Sequence, residues 1–230
     1  MNVLAFDTCL GAVSVAVRCG GIGTGRLYER FEQRQGGHAE RLMPMIAEVM
    51  AEAGIGFPDL DRIGVTLGPG TFTGARVGVA AARALALASG LPVAGATSLE
   101  VMAHRARGLL GKGGDELLAV AVDARRGMTY FQLFGQDAGS PSLVTPEEAA
   151  ASIRSRPVVV VGSGARSVVS VVSGASGRAE AQLADLQPHA ASLAVLAEVL
   201  PTTPTLRPLY LRPPDVKPQE DKSLARVRLP

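Results

Sequence analysis

The chain has 230 residues, 47% of them hydrophobic and 19% charged. That is enough apolar material for a packed core, which excludes a disordered chain, and at roughly 100–200 residues per domain it makes one large domain or two small ones. The formal charge is +2, but residues 207–230 hold six basic and three acidic side chains, so the body before them lacks a broad nucleic-acid footprint, and this end reads as a solvated tail or as basic charge for RNA or an acidic partner. No run supplies the roughly 20 clean apolar residues of a bilayer span: Val77 to Ala96 is broken by Arg83, Ser89, Gly90 and Pro92.

In chain order, Met1 to Thr8 has no basic segment ahead of its apolar run and meets Asp7 early, so no signal peptide is expected and the protein is expected in the cytosol. Leu4 to Asp7 and Val13 to Arg18 read as a hairpin whose first strand ends on an acid, and Leu27 to Gln33 as a third strand after a glycine-rich turn. Cys9 and Cys19 have neither CxxC spacing nor a histidine at ligand distance, so they are expected to be reduced and structural. A helix is predicted over His38 to Ala53, because Leu42, Met45, Ile46, Val49 and Met50 fall on one stripe. Pro44, inside that stripe, predicts a kink or a late start. Arg62 to Leu67 reads as a strand, Gly68 to Gly70 as a turn, and Thr71 as the cap of a helix to about Ser89. A strand over Pro92 to Ala96 completes a βαβ unit. Thr97 with Glu100 then makes a capping box for a helix to about Arg107.

Gly108 to Glu116 is glycine-rich and charged, which puts a boundary between residues 1–107 and 108–212, with 213–230 as a flexible basic tail. The opening grammar then recurs. Leu117 to Asp123 is a strand ending on an acid, Met128 to Phe134 its partner, and Thr145, Pro146 and Glu148 open a short helix. Pro157 to Val161 is an apolar strand running into Gly162, Ser163 and Gly164, and Ser192 to Leu200 a last helix. Two halves that each begin with a hairpin whose first strand ends in aspartate, Asp7 and Asp123, suggest an internal duplication: two α/β domains facing one cleft.

Five segments also carry a resemblance: LAFDT from Leu4, HAERLMP from His38, GPGTFTGARVG from Gly68, DARRGMTY from Asp123 and LYLRPPD from Leu209. Together, and in this order, they resemble the bacterial TsaB family, also called YeaZ. The resemblance implies the two-domain α/β fold of the actin, Hsp70 and sugar-kinase (ASKHA) superfamily, with duplicated mixed sheets around a cleft. It implies a non-catalytic partner of TsaD, the enzyme that attaches threonylcarbamoyl to N6 of adenosine 37 in tRNAs reading codons that start with A. The implied assembly is a heterodimer with TsaD, joined by the ATPase TsaE. The chain alone would form a homodimer and meet tRNA only through the complex.

The candidate residues carry two readings each. Gly68 to Thr71 join a strand to a helix start, a ready anion site, but the loop lacks a P-loop lysine and Gly74, Gly78 and Ala82 recur at intervals suited to close helix packing. Asp7 and Asp123 stand where the resembling kinases hold metal or phosphate, and Gly162 and Gly164 where they approach adenosine. These four would form a weak, vestigial nucleotide site, or else play structural roles, with no cofactor required. In TsaD the corresponding strand leads into His-Leu-Glu-Gly-His. Here the run is Ser98, Leu99, Glu100, Val101 and Met102, so both ligand positions are lost and no bound metal is expected. Catalytic residues are expected to be none, no nucleophile set having recognisable spacing. His38, Leu42, Met45, Val49, Gly74, Gly78 and Ala82 are the expected partner interface, on two helices that meet their counterparts in the resembling family. The rival readings are a small ATPase using Asp7 and Asp123, and a tRNA-binding module working through the basic tail.

Overall fold

A computed structural model describes residues 1–21, 25–113, 116–136, 138–153, 157–172 and 178–212. The expected tail, 213–230, lies outside them. Strands β1 (Val3–Asp7), β2 (Ala12–Cys19) and β3 (Arg26–Gln33) pair antiparallel, with Asp7 opposite Ser14 and Cys19 opposite Arg26. Strand β4 (Arg62–Thr66) lies parallel to β1, and β5 (Val93–Ala96) parallel to β4. The resulting order is β3-β2-β1-β4-β5.

The second half repeats this wiring. Strands β6 (Leu118–Asp123), β7 (Thr129–Phe134) and β8 (Ser142–Val144) form the antiparallel meander, and β9 (Val158–Val161) and β10 (Ala179–Gln182) add in parallel. Its order, β10-β9-β6-β7-β8, is the first sheet's read from the other edge. The duplication expected from the two hairpins is therefore a duplication of topology.

Strand alternation sends neighbouring side chains to opposite faces. From β1, Leu4 and Phe6 point to helices α1 (His38–Ala53) and α2 (Phe72–Ser89), while Val3 and Ala5 point to α6 (Ala190–Val199). Helix α1 starts at His38 without delay and continues through Pro44. Pro44 sits on the solvent side, where the carbonyl it leaves unpaired can be hydrated. Thr71 caps α2, its Oγ1 accepting from Gly74 N at 3.1 Å. The capping box of α3 (Ser98–Leu110) is complete: Thr97 N donates to Glu100 Oε2 at 2.7 Å and Glu100 N to Thr97 Oγ1 at 3.0 Å.

The expected boundary at residue 107 does not divide the packing. Helix α3, counted with the first half, lays Leu99, Met102, Ala103 and Ala106 against Leu118, Val120 and Val161 of the second sheet. Helix α6, counted with the second, lays Ala190, Leu193, Ala194 and Ala197 against the first, where Arg18 of β2 also pairs with Glu198 at 2.9 Å. Glycine-rich composition marks a loop but not which sheet the preceding helix covers. Helices α4 (Pro146–Ile153) and α5 (Ala165–Val172) close the far face of the second sheet. Among the described residues no helix is long and apolar enough to cross a membrane.

Candidate functional site

Two loops of the first half press together beneath the sheets. Thr71 N donates to Cys9 O at 2.7 Å, and Thr8 Oγ1 donates to Gly74 O at 2.7 Å. A β-carbon at Gly70 would strike Cys9 O, and one at Gly74 would strike Thr8 O. Both positions are glycine because two backbones meet there. The N–H groups of Thr71 and Gly74, which would draw an anion to a helix start, are already spent on Cys9 O and Thr71 Oγ1.

Asp7 is sealed behind this contact, with no exposed surface. Thr66 Oγ1 and Cys9 N donate to its Oδ1, and Oδ2 has no partner. Burial pushes its carboxyl from the ordinary 3.8 up to about 6, against the pull of the Thr66 and Cys9 hydrogen bonds. Burial, aided by the charge of Asp7, also pushes the Cys9 thiol well above its ordinary range, so it is no nucleophile.

Asp123 occupies the equivalent strand end but faces open space. Arg125 N donates to its Oδ1 at 2.7 Å, the same bond two residues on that Cys9 N makes with Asp7. Asp123 N donates to Ser163 Oγ at 3.0 Å. Asp123, Arg125 and Ser163 join His38, Thr71 and Gln187 around a cleft of about 1180 Å³. His38 Nε2 lies 3.0 Å from Leu10 O, and Gly11 N donates to Gln187 Oε1 at 3.0 Å, so both side chains help fix the first hairpin turn. Behind the cleft, Arg212 Nη1 donates to Ala124 O at 2.7 Å and ties the last described residues to the second hairpin.

The four residues of the expected nucleotide site do not converge. Asp7 lines no part of the cleft, whereas Asp123 does. A β-carbon at Gly162 would lie 2.5 Å from Ala121 O and 3.1 Å from the Met102 methyl, and one at Gly164 3.1 Å from Thr129 and 3.3 Å from Asp123 N. These glycines admit protein, not a ligand. Met102 and Ser98 are fully buried, and among the described residues no three His, Cys, Asp or Glu side chains gather as a metal site.

The expected interface residues also need correction. Leu42, Met45, Val49, Gly74, Gly78 and Ala82 are all buried within this chain, and of the seven only His38 is partly open. The five buried residues of α1 contribute about 10 kcal/mol at ~2 kcal/mol each, before entropy, which is too much to withhold from the core. A β-carbon at Gly78 would meet Thr8 Oγ1 at 2.8 Å, so the small row serves helix-on-sheet packing. Among the residues the two helices expose is a row of small apolar ones, Ala39, Met43, Ala47 and Ala51 on α1 and Ala80, Ala84 and Leu87 on α2, bordered by exposed Glu40, Glu48 and Glu52 on α1 and Arg76 and Arg83 on α2. Met43 and Leu87 are 46% and 89% exposed. The signal was in the sequence as a second stripe, hidden because alanine scores weakly in a hydrophobic pattern.

Comparison with known proteins agrees with this frame. The family described as "TsaD: tRNA N6-adenosine threonylcarbamoyltransferase" matches residues 32–149. YeaZ from Pseudomonas aeruginosa superposes with a TM-score of 0.76 at 30% identity, covering 91% of this chain and 99% of that one. The chain belongs to the TsaB (YeaZ) family. The tRNA threonylcarbamoyladenosine biosynthesis protein TsaB of Escherichia coli (strain K12) is 34% identical over 137 residues, 60% of this chain and 56% of that protein. The chain spans about half the length of the first curated TsaB relatives it matches. ROK hexokinase from Thermus thermophilus, at 13% identity and a TM-score of 0.52, shares the fold alone, which places the TsaB frame among the sugar-kinase-like α/β folds.

Proposed function

We propose that this chain is a non-catalytic subunit that docks TsaD and supports threonylcarbamoyl transfer to N6 of adenosine 37 in tRNA, with TsaE joining through the complex. The observation that carries the reading is the exposed row of small apolar side chains on α1 and α2, with Met43 and Leu87 among them and a border of Glu40, Glu48, Glu52, Arg76 and Arg83. Alanine rows let another pair of helices approach closely, and the single methionine adapts its shape to TsaD or to a second copy. The sealed Asp7 and the internally spent donors of the loop before α2 support the absence of catalysis.

Ala84→Glu or Ala47→Glu sets a carboxylate into that contact without touching the core. An unpaired charge in a dry interface costs about 2–5 kcal/mol of association. Calorimetric titration against TsaD reads this directly. Wild-type affinity in a variant that melts normally would move the docking face elsewhere, and ATP turnover by the isolated chain, lost in Asp123→Asn, would make it an enzyme instead.

A further inference from the structure

Near the start of α2 lies an exposed aromatic stack that the scaffold reading does not use. The Phe72 and Tyr210 rings stack with centroids 5.1 Å apart and planes at 30°, and the Arg76 guanidinium lies over Phe72, 4.9 Å from its centroid. Phe72 and Tyr210 keep 41% and 44% of their surface in solvent, an unusual expense for two aromatic residues on one spot. Tyr210 ends the stack and borders a pocket of about 280 Å³ whose charged lining is Arg125, Arg212 and Asp123. Arg212 is anchored on the carbonyls of Ala124 and Arg125, which holds the segment carrying Tyr210 against the second hairpin. Leu209 N, donating to Leu67 O at 2.7 Å, holds it against the first. The platform is therefore fixed by both halves.

A rigid aromatic face beside guanidinium groups matches one chemistry best: unpaired nucleobases, each stacking on a ring while its phosphate meets an arginine. We propose that the outer face of Tyr210, backed by Phe72, is a stacking platform for a single-stranded RNA segment, with Arg125 of the adjoining pocket meeting its phosphates. This deepens the proposed function and rests on it for the presence of RNA. A protein partner would also accept aromatic and arginine side chains, but two arginines against one carboxylate in the pocket favour a polyanion.

The test is fluorescence anisotropy with the full chain and two labelled RNAs, a hairpin with a single-stranded loop and the fully paired duplex of its stem. The expected results are tighter binding of the hairpin, a loss of about tenfold in Tyr210→Ala with duplex binding unchanged, and recovery in Tyr210→Trp. Arg125→Gln should lower the salt slope by about one. Tyr210→Leu, which keeps the apolar volume without the ring, serves if Tyr210→Ala fails to fold. Equal binding of hairpin and duplex, no hairpin binding by the wild type, or a Tyr210 variant that binds normally while removal of residues 213–230 abolishes binding would each overturn the platform. So would loss of TsaD capture in Tyr210→Ala with RNA binding intact. Ala84→Glu, which tests docking, leaves the RNA result untouched, so the two readings fail separately.

Discussion

Replacing Asp7 with asparagine should stabilise this protein at neutral pH, although it removes a buried acid from the centre of the first half. The folded carboxyl holds its proton up to about pH 6, whereas the ordinary value is 3.8. Between those two values the folded state carries more protons than the unfolded one, so stability falls as pH rises, and above pH 6 the full cost is present. That difference corresponds to about 3 kcal/mol. Asparagine keeps an Oδ1 to accept from Thr66 Oγ1 and Cys9 N, and loses the charge on the unpartnered Oδ2. Weaker hydrogen bonds to a neutral acceptor, and an Nδ2 group without an acceptor where Oδ2 stood, offset part of the gain, which leaves a net of about 1 kcal/mol at pH 8. Urea unfolding of both proteins at pH 4 and pH 8 measures it, with the difference between them as the quantity read. That difference matters because Glu32, Glu48 and Glu116, lowered by arginine and lysine partners, slope the opposite way in both proteins. Asp7→Asn less stable than wild type at pH 8, with an unchanged difference at pH 4, would refute a carboxyl held protonated by burial.

Other perturbations probe the frame. Gly74→Ala drives a methyl into Thr8 O and should cost about 2–3 kcal/mol in urea unfolding, where an ordinary helical Gly→Ala would stabilise. Glu198→Ala leaves Arg18 of β2 uncompensated, and because both side chains are nearly buried, at 12% and 4% exposure, the loss should reach about 3 kcal/mol; a loss within experimental error would mean that α6 is not fastened to the first sheet by this pair. A chain ending at Arg212 should unfold cooperatively with an unchanged midpoint, whereas one ending at Thr205 loses buried Leu206 and the Leu209 and Arg212 ties and should melt several degrees lower in circular dichroism.

Local chemistry was legible because it is written within a few residues. The α1 stripe, the Thr97 and Glu100 capping box, and both hairpins ending in aspartate could be read directly. Strand β8 has three residues and β10 reads AEAQ without a β-branched side chain, so neither announces itself. The direction a stripe faces was not legible. Gly74, Gly78 and Ala82 form the same row whether they receive a helix or the face of a sheet, and only the three-dimensional neighbours, Thr8 and Val65, decide it. The sealing of Asp7 depends on Thr66, 59 residues away, and on a loop approach that no periodicity encodes. The crossing of α3 and α6 was hidden for the same reason.

The two aspartates show how one duplicated design yields one buried acid and one open one. Both end the first strand of a meander, and both accept from the backbone N–H two residues on. The loop after β4 folds over the first turn, Thr71 N reaching Cys9 O, and closes Asp7 in. The equivalent loop after β9 instead meets the strand itself: Gly164 N donates to Ala121 O at 2.9 Å, and Ser163 Oγ accepts from Asp123 N. It lands short of the turn, so the Asp123 carboxylate stays in the cleft. A ligand that meets Asp123 in the cleft does not meet Asp7, and reaching Asp7 would require the two loops of the first half to part. That opening breaks the Thr71 and Thr8 hydrogen bonds together and exposes Phe6 and Cys9, a local unfolding rather than a hinge movement. The first half thus closes its acid beneath α1 and α2, a packed base that the docking face proposed on those helices requires.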